Sequence, residues 1–253
     1  MKILNYKEFG SGPALIILHG LFGSLDNWVT LGKKFAETQH VLLIDQRNHG
    51  HSFHEEAFNY ELMAQDLLEL MLTKNIDKAT LLGHSMGGKT VMKFATMYPD
   101  RVEKLIVADI GPKFYPVHHS TIIEALYAVG LSKLTSRKEA DQQLSLSIPD
   151  FGTRQFLLKN LQRSDQGFRW KMNLDSISRH IEEVGKALEE SSFDRPSLFI
   201  RGDKSDYVLD EDIPRIQSIF THSTVETVSN AGHWLHAENP KEFFEKVNAF
   251  LEK

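Results

Sequence analysis

Five short segments of the chain are apolar at nearly every position: residues 14–18, 41–44, 79–82, 105–108 and 198–200. Continuous runs of that length suit strands covered on both faces of a sheet, where neither side meets water. Residues 2–9 and 225–228 read as two further strands, and Gly10-Ser11-Gly12-Pro13 between the first two has the composition of a hairpin turn. A helical period is carried by residues 28–38, 60–73, 87–97, 211–220 and 240–251, the last with Pro240 at its first position, where a missing N–H costs nothing. Strands alternating with helices in this way predict a mostly parallel sheet with helices on both faces.

The alternation stops at about Pro112 and resumes at about Arg195. In between, residues 122–129, 156–161 and 177–188 read as amphipathic helices, with no convincing parallel strand among them. The expected organisation is a core of residues 1–112 and 195–253, with residues 113–194 inserted as a helical cap. No internal repeat or low-complexity tract interrupts it.

Composition narrows the chemistry. The 253 residues are 41% hydrophobic and 25% charged, enough for one large α/β core plus an insertion. The net charge of -5 is spread over both signs, so neither nucleic acid nor an anionic membrane is an expected partner. With no cysteine, disulfides, thiolate zinc sites and thiol nucleophiles are all excluded. The first residues reach Lys2 and Lys7 without an apolar core of signal length, and no run approaches the ~18 apolar residues of a membrane helix. A cytoplasmic protein without membrane insertion is expected; oligomeric state is not legible.

One turn carries the strongest chemical signal. The strand at 79–82 runs into Gly83-His84-Ser85-Met86-Gly87-Gly88 and then into a helix, the order of a nucleophile elbow. Such a turn strains the serine backbone and crowds the positions two before and two after it, which gives Gly83 and Gly87 a steric reason to be glycine. A helix-capping serine in a glycine-rich turn is the bland alternative, and the strand–turn–helix setting weighs against it. A serine hydroxyl needs a base and a pocket for the developing anion. The Met86 amide and an amide from His19-Gly20-Leu21-Phe22-Gly23-Ser24, with Leu21 ahead of Phe22, are the candidate oxyanion donors.

His233 is the candidate base, because it follows the last strand and precedes the final helix, at the sheet edge where such folds place ligands. His19 and His84 are expected to brace their turns. His49, His51, His54, His118 and His119 lack the spacing of a metal site, so no metal or other cofactor is expected. The acid must end a strand between Ser85 and His233 and accept the imidazole N–H. Asp109 leads, with Asp206 and Asp203 as alternatives, and topology alone does not choose among them.

The blocks from His19 to Asn27, from Asp45 to Ser52 and from Gly83 to Lys89 resemble the α/β-hydrolases, and within them the small bacterial esterase group of the YbfF type. Asp109-Ile110-Gly111-Pro112, Ser205-Asp206-Tyr207-Val208 and the block from Gly232 to Glu238 extend the likeness over most of the core but not the cap. The resemblance implies the α/β-hydrolase fold, with a mostly parallel eight-stranded sheet and an inserted helical cap. It also implies a serine hydrolase acting on a small-molecule ester or thioester. Where the wider family has its acid, this chain has Ser205, which favours Asp109. A second departure is Asn48, where glycine is usual; asparagine tolerates the left-handed backbone that such a loop requires. Arg47 and Asn48 are read as loop scaffolding.

Short to medium acyl esters, with acyl-CoA among them, are the expected substrates. Phe22 and Trp234 beside the site are expected to line an apolar pocket; Phe114, Tyr115, Ile122, Leu126 and Phe156 of the cap are further candidates, most of them expected simply to pack the cap. Carbon–carbon bond hydrolysis or a lyase step at the same residues, and a non-catalytic ligand sensor, are the competing readings.

Overall fold

All five apolar runs are strands of one sheet. A computed structural model of the protein describes residues 2–165, 167–189 and 191–253. Its main sheet contains β1 (Tyr6–Phe9), β2 (Ala14–Leu18), β3 (His40–Ile44), β4 (Ala79–His84), β5 (Val102–Ala108), β8 (Ser197–Gly202) and β9 (Ser223–Val228), in the spatial order β1-β3-β2-β4-β5-β8-β9. Every pairing is parallel except that of β1 with β3.

Two expectations are corrected here. β1 does not form a hairpin with β2; Gly10 and Gly12, both at positive φ, carry the chain past that neighbour so that Tyr6 faces Ile44 on the far side of β3. The main sheet has seven strands among the described residues rather than eight: two further strands pair only with each other, and the eighth rested on family likeness alone.

Alternate residues of the strands feed opposite faces, as the two-residue period of a strand requires. Ile16, Leu18, Leu81 and Phe199 pack on one side with Leu67 of α2 (Tyr60–Thr73), Phe94 of α3 (Met86–Met97) and Ile216 of α9 (Ile213–Ile219). Leu15, Ile17, Leu82 and Ile200 pack on the other with Phe35 of α1 (Val29–Phe35) and Phe243 of α11 (Pro240–Leu251), which follows the short α10 (Leu235–Glu238). Each such side chain, buried from water, contributes about 1.5–3 kcal/mol of transfer free energy. α2 begins at Asn59, whose side chain accepts the Leu62 N–H, and α11 at Asn239, which does the same for Glu242.

The chain leaves the sheet after β5 and returns at β8, its neighbour. The excursion holds α4 (Ser120–Ala128), α5 (Arg137–Leu144), α6 (Phe151–Leu158), α7 (Leu174–Arg179) and α8 (Ile181–Gly185). It also holds an antiparallel pair, β6 (Leu161–Ser164) with β7 (Gly167–Trp170), that the helical reading of the segment missed. The expected helix at 177–188 is instead two short ones meeting at His180, after which the chain must turn back toward the sheet. The outgoing and returning segments are tied together: Leu188 N–H donates to the Pro112 carbonyl at 2.9 Å and Tyr115 N–H to that of Gly185 at 2.8 Å. The buried ammonium of Lys89, on α3, donates to the carbonyls of both Lys113 and Lys186. Leu126, Leu157 and Ile177 of the excursion share one apolar cluster with Leu21, Phe22 and Met86, so this layer is seated directly on the loops of interest.

Candidate active site

The sheet order brings the relevant loops together. β2 and β4 are neighbours although β3 lies between them in sequence, so the strand order reverses direction there and the loops after β2 and β4 open a crevice at the carboxyl edge. Ser85 follows β4, Asp109 follows β5, Ser205 follows β8 and His233 follows β9, each on the strand next to the last.

Ser85 sits at φ 53°, ψ −118°, a conformation that non-glycine residues avoid and that costs on the order of 1–3 kcal/mol. Its N–H is held by the Ala108 carbonyl at 3.0 Å, and its own carbonyl accepts from Lys89 N–H at 3.0 Å. The flanking glycines make the turn possible. A β-carbon on Gly83 would run into the backbone of Gly87, and one on Gly87 would lie 2.5 Å from the Leu18 carbonyl and 2.6 Å from that of His19. Gly87→Ala therefore has to push the loop after β2 away from the elbow, at a cost of about 1–3 kcal/mol. The expected result is a lower urea midpoint with an unchanged denaturant slope; an unaltered midpoint would show that the two loops are not in contact.

His233 Nε2 lies 3.0 Å from Ser85 Oγ, and its Nδ1 lies 2.8 Å from Asp109 Oδ2. Because an ionised carboxylate only accepts, Nδ1 carries the proton and Nε2 is left as the acceptor facing the serine hydroxyl. Asp109 is completely buried, at φ 50°, and also accepts the Ser205 hydroxyl on Oδ2 and the Gly202 N–H on Oδ1 at 3.2 Å. Of the three carboxylates shortlisted from topology, Asp109 is the one within reach of the imidazole. Asp203 accepts the Ala231 N–H at 3.0 Å instead, and Asp206 is exposed.

One face of the imidazole and its backbone are held by the surroundings. The Tyr207 ring stacks on it with centroids 3.8 Å apart and planes 17° from parallel. Tyr207 is itself fixed through its carbonyl, which accepts the Tyr115 hydroxyl at 2.6 Å. His84 Nε2–H donates to the His233 carbonyl at 2.7 Å, and burial, reinforced by the nearby His236 and His233, holds His84 well below the usual imidazole range. His19 braces the neighbouring turn: its Nε2 accepts the Gln46 N–H at 3.1 Å and its Nδ1 donates to the Gly20 carbonyl at 2.8 Å. Both histidines brace turns, as expected. Ser205 was recognised from sequence only as a departure from family pattern, and Tyr207 only as part of a block resembling the family, with no role assigned.

Leu21 and Met86 border Ser85 in a small cavity of about 30 Å³. Met86 opens α3, whose first N–H groups have no partner within the helix. The fallback donor, the Phe22 N–H, is already directed at His49 Nε2 at 3.3 Å. A larger cavity of about 240 Å³ meets Ser85 from the other side and is lined by Phe22, Ile122, Phe156, Leu157 and Trp234. Tyr115 borders only the small cavity, Leu126 is buried within the helical layer, and Phe114 is 56% exposed. Leu126 packs the helical layer, as expected of most of these residues, whereas Phe114 neither packs it nor lines a cavity, because its neighbours in the outgoing segment face the cavities instead. Arg47 and Asn48 are structural: Arg47 grips Asp66 through Nε at 2.5 Å and a second nitrogen at 2.8 Å, and Asn48, at φ 63°, donates to Ser176 of α7 at 3.0 Å. No cluster of three or more His, Asp or Glu among the described residues is placed to hold a metal ion.

Comparison with known proteins agrees with the geometry. Residues 13–240 match the family described as alpha/beta hydrolase fold. The sn-1-specific diacylglycerol lipase ABHD11 of Danio rerio is 36% identical, over 98% of this chain and 82% of that protein. Esterase YbfF of Escherichia coli strain K12 is 34% identical, over 94% of this chain and 92% of that protein. A solved structure titled as a marine microorganism esterase superposes with a TM-score of 0.96 at 43% identity, covering 99% of this chain and all of that one. With strand order, elbow and sequence in agreement, the chain belongs to the α/β-hydrolase family.

Proposed function

We propose that the protein is a serine hydrolase of carboxylic esters, and of thioesters by the same chemistry, with Ser85 as nucleophile, His233 as general base and Asp109 as the acid that orients it. One observation carries this reading: the unbroken hydrogen-bonded chain from Ser85 Oγ through His233 to a buried Asp109, at 3.0 and 2.8 Å. His233 takes the serine proton as Oγ attacks the ester carbon. The oxyanion is received by the Leu21 and Met86 N–H groups, and His233 passes its proton to the departing alcohol or thiol. The acyl-enzyme is then hydrolysed by a water that His233 deprotonates.

The apolar cavity supports a short to medium acyl chain, acyl-CoA being one form, and the lipase and esterase names of the relatives support ester hydrolysis. In this reading residues 113–194 act as the cap that shapes the pocket. The test joins labelling to turnover. The wild type is expected to react with a fluorophosphonate probe and Ser85→Ala to lose that reaction; a folded wild type that does not label would remove the proposal. A chain-length series of p-nitrophenyl and CoA esters then reads the pocket, with kcat/KM expected to peak at a short to medium chain.

A further inference from the structure

The loop after β2 is strained and pinned from two sides. Gly20 to Gly23 form a turn closed by Gly23 N–H on the Gly20 carbonyl at 2.9 Å, and its third residue, Phe22, is held at φ 57° although it is not glycine. A bulky residue stays in that region only when its surroundings over-determine it. On the amide side, Phe22 N–H points to His49 Nε2 at 3.3 Å, and His49 Nδ1 sits 3.0 Å from the Arg47 carbonyl. A carbonyl only accepts, so the His49 proton is on Nδ1 and Nε2 is free to receive Phe22. On the carbonyl side the partner comes from the helical layer: Asn160 Nδ2 donates to Phe22 O at 2.6 Å, across 138 residues of sequence.

Asn160 is built for this one contact. It is 1% exposed, and its own Oδ1 is buried with no hydrogen-bond partner among the described residues. A buried amide oxygen left unpaired is costly, so the residue is poorly explained as a contributor to stability. Its backbone is locked between α6 and β6, by Asn160 N–H on Leu157 O at 3.0 Å and Lys171 N–H on Asn160 O at 2.8 Å. The Phe22–Gly23 peptide plane is therefore referenced to a rigid part of the inserted segment.

We propose that Asn160 is a positioning residue for the oxyanion hole: by holding the Phe22 carbonyl it keeps the Gly20–Gly23 turn in the conformation that aims Leu21 N–H at the substrate oxygen. The inserted segment then contributes to the chemical step and not only to pocket shape. This rests on the esterase reading above, since it assigns Leu21 a role in that reaction. Removing a single oxyanion donor typically lowers kcat by about 10²–10³, and misaiming one should cost part of that, about 10- to 100-fold.

The experiment compares Asn160→Leu, nearly the same shape without the donor, and Asn160→Ala with a control, Trp170→Phe, which removes the Trp170 Nε1 bond to Leu126 O inside the helical layer and leaves both hydrogen bonds of Phe22 in place. Turnover of a soluble p-nitrophenyl ester, inhibition by a trifluoromethyl ketone and melting temperature are measured on all four proteins. The ketone binds as a hemiketal oxyanion and so reads the hole directly. Both Asn160 variants are expected to lose kcat about 10- to 100-fold with KM nearly unchanged, and to lose ketone affinity in proportion. Trp170→Phe is expected to melt lower with kcat retained. If a folded Asn160 variant keeps wild-type kcat and ketone affinity, or if Trp170→Phe loses both as severely, the role of Asn160 is overturned while the esterase reading stands. A wild type without ester turnover overturns the esterase reading itself, and this assignment with it.

Discussion

Asp109→Asn is expected to lower turnover of a p-nitrophenyl ester by about 10⁴ with the fold intact, the size of effect known when the acid of such a triad becomes an amide. Asp109 accepts three hydrogen bonds, from His233 Nδ1, the Ser205 hydroxyl and Gly202 N–H. An asparagine in its place has only one acceptor oxygen, so its NH₂ group must face a donor or invert one. The least hindered response is for His233 to carry its proton on Nε2, where it can no longer take one from Ser85. Binding contacts are untouched, so KM should stay near the wild-type value while kcat falls. Asp206→Asn, at an exposed position, serves as comparator and should keep its turnover. A folded Asp109→Asn within tenfold of wild type would transfer the role of acid elsewhere.

Acidification from pH 7.5 to 5.5 is expected to remove on the order of 2–3 kcal/mol of folding stability through His49 and His236, with His84 adding to the loss. All three are buried, and burial pushes His49 and His236 down to about 3 and His84 well below its ordinary value. The unfolded chain takes up protons at these groups near pH 6.5, whereas the native state does not. The unfolded state therefore binds more protons in the window from about 6.5 down to the native values, and stability falls as pH falls through it. The loss through His49 and His236 is a sizeable part of a total that for most domains is about 5–15 kcal/mol, and His84 acts in the same direction. Urea unfolding at pH 7.5, 6.5 and 5.5 should show a stepwise loss. His236→Gln should flatten it, though it also gives up a stack on Trp28 with centroids 4.3 Å apart. Equal midpoints at pH 7.5 and 5.5 would mean that these side chains are protonated in the folded protein.

Much of the sheet was legible because a parallel strand must be apolar on both faces, and residues 14–18 or 105–108 leave no other reading. The pairing of β1 was not, since an edge strand of mixed polarity such as Tyr6-Lys7-Glu8-Phe9 says little about which neighbour it joins. In the inserted segment, Leu161-Gln162-Arg163-Ser164 and Gly167-Phe168-Arg169-Trp170 are too short for alternation to outweigh the helical patterns around them. Ser85 could be read from a local motif because the strain of its turn dictates the flanking glycines. The choice of Asp109 over Asp206 depended on which carboxylate the folded loops carry to within 2.8 Å of His233 Nδ1; strand order alone would have favoured Asp206, which follows β8, the neighbour of β9. Asn160 and Tyr207 act across long sequence separations and leave no periodic trace.

The paired crossing at Pro112–Tyr115 and Gly185–Leu188, clamped by Lys89, fixes both ends of the excursion at one point on the sheet. Chain closure is then nearly indifferent to what lies between, since doubling a loop costs only ~0.6 kcal/mol. If the segment is the cap proposed above, another helical layer grafted at the same junction is expected to change what the pocket accepts. Such a chimaera will process its new substrate efficiently only if it returns a side-chain amide to the Phe22 carbonyl.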